Sequence, residues 1–200
     1  MTMITRIAAS AAVLGLLLTA GCGGGDDESA PLPSLGAQTP DEDGGSEDLP
    51  TTIEQAKQIA VADLGSSVAE TAEEQAAVEA WMTYWEAVTE TFSSGSPSPK
   101  LDVATGQAST FVLDGLNQLQ STGQRVVGWT RTHVQAIEGS GAATVLRICG
   151  ENYSFNVDAA GEPTEEIRPF YEITASLSSD GPRTQVTGFA VTYPDGSCLA

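Results

Sequence analysis

The segment TAEEQAAVEAWMTYWEAVTETF, residues 71–92, is the stretch on which the fold of this 200-residue chain turns. Thr71 followed three places later by Glu74 spells a capping box, in which hydroxyl and carboxylate accept each other's otherwise free backbone N–H groups. Val78, Trp81, Trp85, Val88 and Phe92 then recur at spacings of three and four, which sets them along one stripe of an α-helix. So apolar a stripe needs a surface to cover it, and Trp81 and Trp85 are expected in a core. Tyr84 lies beside the stripe and is a candidate for a ligand-stacking wall. The run Ser93-Ser94-Gly95-Ser96-Pro97-Ser98-Pro99 stops the helix.

Downstream the pattern changes. Leu101–Thr105 reads as a helical turn, and Ala108–Leu119 as a helix that ends before Gly123. Beyond Gly123 the period becomes two. Arg125–Glu138, Ala142–Cys149, Tyr153–Val157, Ile167–Leu177 and Thr184–Tyr193 read as strands, with Ser179-Asp180-Gly181-Pro182 as a turn. Helices followed by a meander of strands imply an α+β fold, with N-terminal helices packed on a curved antiparallel or mixed sheet. Residues 71–200 suffice for one domain.

Upstream the signals weaken. Thr52 with Gln55 fits another capping box, and Gly65 is a stop, so residues 52–70 are expected to hold a short helix and a connection. Residues 22–51 are rich in Gly, Pro, Ser and acidic side chains. They bury too little apolar surface to offset the entropy of ordering, and so read as a linker. Within it, Asp41-Glu42-Asp43-Gly44 lacks the spacing of a calcium loop, whose Gly stands at the sixth position.

Residues 1–21 carry Arg6, an apolar stretch from Ile7 to Ala20 and small residues before Cys22, the tripartite form of a secretory signal. The run Leu18-Thr19-Ala20-Gly21-Cys22 resembles the lipobox of bacterial lipoproteins, although Thr19 stands where that family more often has Leu. The resemblance implies cleavage before Cys22, acylation of its thiol and attachment to the membrane on the extracytoplasmic side. One acyl chain anchors only marginally, so more than one is needed for stable attachment. Without residues 1–21 the chain keeps seven basic and 27 acidic residues, a formal charge of −20. Such a surface repels phosphate backbones and excludes nucleic-acid binding. In an exported, oxidising setting the remaining pair, Cys149 and Cys198, reads as a disulfide. A zinc site would want four ligands, and the chain holds one histidine, so no metal and no cofactor is expected.

The long aromatic helix with Trp81, Tyr84 and Trp85, the turn at Leu101 with Ala104-Thr105-Gly106, and the late strands to Cys149 and Cys198 resemble the NTF2-like family, also called SnoaL-like or cystatin-like cones. Many exported actinobacterial lipoproteins look like this. The resemblance implies a cone whose pocket lies between the long helix and the concave sheet. Family members use it for isomerisation, hydration or plain binding, so fold alone does not give function.

His133 is the one acid–base candidate at neutral pH. Alternation puts it on one strand face with Val127, Trp129, Arg131, Gln135 and Ile137, and puts Gly128, Thr130, Thr132, Val134 and Ala136 on the other. If the first face lines the cone, Trp129, Arg131, His133 and Gln135 suit an anionic ligand. If it faces away, His133 is a surface residue. Catalysis would need a partner such as Asp114, Glu172 or Tyr171. The chain lacks a Gly-x-Ser-x-Gly elbow, a His-Glu-x-x-His helix and a phosphate loop. The leading expectation is therefore a non-catalytic module binding a small amphipathic ligand or another envelope protein. The alternatives are an isomerase or hydratase based on His133, or a structural accessory lipoprotein.

Overall fold

Residues 49–50, 52–141, 143–179 and 183–199 are described by a computed structural model. Residues 1–21, Cys22, and the linker apart from Leu49 and Pro50 lie outside them. Among the described residues no helix is long and apolar enough to cross a membrane. The elements run α1 (Ile53–Ala56), β1 (Ala60–Ser67), α2 (Ala72–Ser94), a 3-10 turn (Pro99–Val103), α3 (Gly106–Thr122), β2 (Arg125–Ser140), β3 (Ala143–Asn152), β4 (Phe155–Val157), β5 (Phe170–Ser178) and β6 (Gln185–Thr192). The fold is α+β, with the helices packed on a curved, unclosed mixed sheet of six strands.

The long helix forms as its sequence dictates. Thr71 and Glu74 make both halves of the capping box, and Gly95 closes the helix in the left-handed conformation at φ 71°. Lys100 reaches back from the 3-10 turn to Glu86 and Glu90, at 2.9 and 2.6 Å, which fixes the exit from the helix.

Upstream of it the expectation was wrong in part. The helix begun by Thr52 stops at Ala56, and the chain then runs extended as β1. Propensity favours a helix in this Ala-rich stretch, but pairing overrides it. From Ala60 to Ser67, β1 lies parallel to β2, and so belongs to the same sheet as everything after residue 71. The strand order is β1-β2-β3-β5-β6, and β4 pairs with the start of β2. Only β1 is parallel; the other pairs are antiparallel, as the meander implied.

The sheet's inner face packs on α2. Trp81 and Tyr84 are fully buried there, against Val134, Leu146, Ile148, Ile173 and Val186. On α3, Val112, Leu116 and Leu119 are buried, whereas Phe111 and Leu113 stay exposed. A second, small core of Ala56, Val127, Phe155 and Val157 ties α1 to the start of β2. Between the two cores β2 bends at Gly128, whose φ of 97° and close approach to the Tyr153 carbonyl leave no room for a Cβ. A bulge at Gln135 then reverses the alternation, so that Ile137 turns inward.

Candidate functional site

Three places on this scaffold collect chemistry: the interior of the cone, its mouth, and the outer face of the sheet. The interior is mostly filled. Trp81 stacks on Trp85 with centroids 5.3 Å apart, and Phe189 meets the Trp81 and Trp85 rings edge-on. Tyr84, expected on a pocket wall, is instead at the centre of this cluster, and its hydroxyl donates to the Ala108 carbonyl at 3.2 Å. It is a core residue that ties α2 to α3. Burial raises its phenol pKa well above the ordinary 10.

One polar nest interrupts the packing. Thr132, Gly150 and Tyr171 stand side by side across β2, β3 and β5. Tyr171 lies over Gly150, where an added Cβ would collide with its ring. Thr130 sits two residues along β2 and accepts a hydrogen bond from the Trp85 indole at 2.8 Å. The Tyr171 hydroxyl and Thr132 Oγ1 are both buried and make no aligned hydrogen bond. Burial pushes the Tyr171 phenol strongly up, while Thr130, Thr132 and Trp85 pull it the other way. Unspent hydrogen-bonding capacity at this depth destabilises the fold unless something fills it.

The nest lies under the mouth. A cavity of about 320 Å³ opens between the last turns of α2, the bend of β2 and the β4 loop. Its walls are Trp85, Val88, Phe92, Phe111 and Phe155, and Thr130, Asn152 and Asn156 supply hydroxyl and amide groups. Its ionisable side chains are Glu165 and Tyr193. This size falls at the lower end for small-molecule sites, which are mostly apolar with a few placed polar groups. Asn152, the first residue of the sequon Asn152-Tyr153-Ser154, spends its amide on local structure. It donates to the Arg168 carbonyl and accepts from Ser154.

The remaining sequence candidates do not reach the cone. Trp129, Arg131, His133 and Gln135 are all on the sheet's outer face, opposite α2. Strand period alone leaves this choice open; Thr130, Thr132 and Val134 take the inner face because they fit the floor beneath Trp81 and Trp85. Trp129 is sealed by a stack on Tyr153 at 4.5 Å and by a hydrogen bond from its indole to the Pro50 carbonyl. Arg131 pairs with Asp63 at 2.8 Å and approaches Glu151 at 3.9 Å. His133 Nδ1 is 2.9 Å from Ser66 Oγ, and its Nε2 is 3.6 Å from Glu151. Gln135 donates to the Cys198 carbonyl.

Of the partners considered for His133, Asp114 is exposed on α3, Glu172 points to Thr192, and Tyr171 is on the inner face. Ser66, Asp63 and Glu151 were missed. Asp63 and Ser66 are hidden because residues 52–70 read as a short helix stopped at Gly65 and a connection, and nothing local marks an Ala-rich edge strand. An acid two residues past Cys149 carries no signal until β3 is laid beside β2. Cys149 and Cys198 form the expected disulfide, with Cα atoms 5.7 Å apart, and it fastens the C-terminal tail beside His133. Among the described residues no group of three or more His, Cys, Asp or Glu side chains could hold a metal ion.

Comparison with known proteins adds no relative. No family model, no curated protein and no solved structure matches the chain. Its function has to be argued from the geometry.

Proposed function

We propose that this chain is a bacterial envelope lipoprotein, held to the extracytoplasmic face of the membrane through acylated Cys22. Its NTF2-like domain binds a small, uncharged amphipathic molecule without transforming it. The observation that carries this reading is the mouth of the cone: a cavity of about 320 Å³ walled by aromatic and aliphatic side chains, with hydroxyl and amide groups on one side. An apolar body would displace water from Trp85, Phe92, Phe111 and Phe155, at roughly 25 cal/mol per Å² of apolar surface covered. A hydroxyl or carbonyl on that body would meet Thr130 or Asn156.

The charge of the chain argues against an anion. With a formal net charge of −19 and Glu165 at the rim, an anionic ligand is repelled. Arg131 and His133, the side chains that suited such a ligand, are across the sheet. A neutral molecule is the better match.

Native mass spectrometry of the protein purified from its own envelope tests the binding. A reproducible added mass that disappears in Val88→Trp, which fills the cavity, is the expected result. A bare monomer across repeated preparations removes the binding reading and directs the search to protein partners. For the anchor, Cys22→Ser should move the protein from the detergent-rich to the aqueous phase; unchanged partitioning would refute acylation at Cys22.

A further inference from the structure

On the outer face, a serine, a histidine and a glutamate line up along the strands in a way the cone does not use. Ser66 Oγ is 2.9 Å from His133 Nδ1. His133 Nε2 stands 3.6 Å from Glu151 Oε2, too long for a hydrogen bond but within strong Coulombic reach. Glu151 is only 8% exposed. Arg131, itself paired with Asp63, stands 3.9 Å from the same carboxylate oxygen. Ser66 is exposed.

The backbone builds this arrangement. The pairing of β1 with β2 skips Gly65, so Ser66 rather than Gly65 comes opposite His133. A Cβ at residue 65 would overlap the imidazole, so glycine lets the ring lie against the bulge. The tautomer follows from the surroundings. His133 Nε2 is buried and makes no hydrogen bond, and the charged group beside it is a carboxylate. A proton on Nε2 is therefore favoured, which leaves the Nδ1 lone pair facing the Ser66 hydroxyl.

We infer that Ser66 is a nucleophile, that His133 is its general base through Nδ1, and that Glu151 is a positioning residue that holds the imidazole tautomer. The order of roles is that of a serine–histidine–acid triad, which is recognised by geometry rather than by sequence position. The reaction class is hydrolysis of an activated ester. Ser66 Oγ attacks the carbonyl carbon while its proton passes to Nδ1, and the imidazolium so formed lies beside Glu151. The carbon–oxygen bond to the alcohol breaks, and the departing oxygen takes the proton from Nδ1. Water then attacks the acyl-serine with the same base. The carboxylic acid leaves and Ser66 is restored.

A fluorophosphonate probe on the full chain, with p-nitrophenyl acetate as substrate, tests the assignment. The expected result is one covalent adduct mapped to Ser66, absent in Ser66→Ala, with its rate lowered about 100-fold or more in His133→Ala. The charged groups around the imidazole are Asp63 on β1, Arg131 on β2 and Glu151 on β3, with Glu172 further along the same row on β5. Glu151→Gln removes one negative charge beside the ring. It should slow acylation of Ser66, and Glu151→Asp, which keeps the carboxylate, should recover part of the rate. An adduct no more frequent on Ser66 than on its neighbour Ser67 overturns the proposal. So does a rate unchanged in His133→Ala. If that variant perturbs the strand, an acylation rate unchanged in Glu151→Gln decides against it equally.

Discussion

The two faces of this sheet are built on opposite principles. The inner face is stabilised by area: Trp81, Tyr84, Leu146, Ile148, Ile173 and their neighbours exclude water under α2, with few polar atoms to satisfy. The outer face is stabilised by complementarity. Asp63, Arg131 and His133 are partly buried and Glu151 is buried; all four are charged or titratable groups, each held by another, beneath a tail pinned by the disulfide. Apolar packing tolerates no voids, whereas a charge network tolerates no missing partner. The same sheet therefore fails differently from its two sides.

The sharpest break of the inner face is Trp81→Ala. The ring is fully buried and touches Tyr84, Trp85 and Phe189, so the loss should be about 5 kcal/mol, the upper end for aromatic truncation, read from urea unfolding. On the outer face, Cys198→Ser opens a link across 49 residues and should cost about 4 kcal/mol in the loop-entropy account. Its readout is the urea midpoint, with protection of the β5 amides falling at the same time.

Smaller again is Arg131→Ala. It leaves Glu151 buried without its cation, and about 2–3 kcal/mol should be lost because both groups keep some solvent contact. Arg131→Ala with Glu151→Ala together should cost less than Arg131→Ala alone. If the double variant is instead as unstable as the two losses summed, the network is not coupled.

The finest test compares two tyrosines of the inner face. Tyr84 donates to Ala108 while the Tyr171 hydroxyl has no aligned partner, so Tyr84→Phe should cost about 1 kcal/mol and Tyr171→Phe close to none. Both phenols have raised pKa values, largely through burial. The stability this carries is complete below the ordinary phenol value of about 10 and is lost as pH rises above it, because the unfolded chain ionises first. Tm should therefore fall between pH 9 and 11, and Tyr171→Phe should flatten that fall. An unchanged slope would mean that the hydroxyl is wetted.

Much of the inner face was legible in the sequence. The stripe from Val78 to Phe92, the capping box at Thr71 and the breaker after Phe92 are local patterns, and local hydrogen bonds and helical period produce them. The outer face was legible only as a list of residues. Alternation grouped Trp129, Arg131, His133 and Gln135 together, and the structure keeps them together. It could not say which way they pointed, because both faces of β2 mix polar and apolar side chains. Ser66 and Glu151 were not legible at all: each comes to His133 through pairing with a different strand.

By itself, then, the sequence determined the helix, the strand periods, the acidic surface and the cysteine pair, all of which follow from interactions within a few residues or from composition. Tertiary structure alone decided that Tyr84 is core, that β1 is a strand and that His133 faces away from the cone. It also decided the parity of Ile137, through a one-residue bulge that no local preference announces. The physical reason is that a side chain's face depends on register, and register is set by partners distant in the chain.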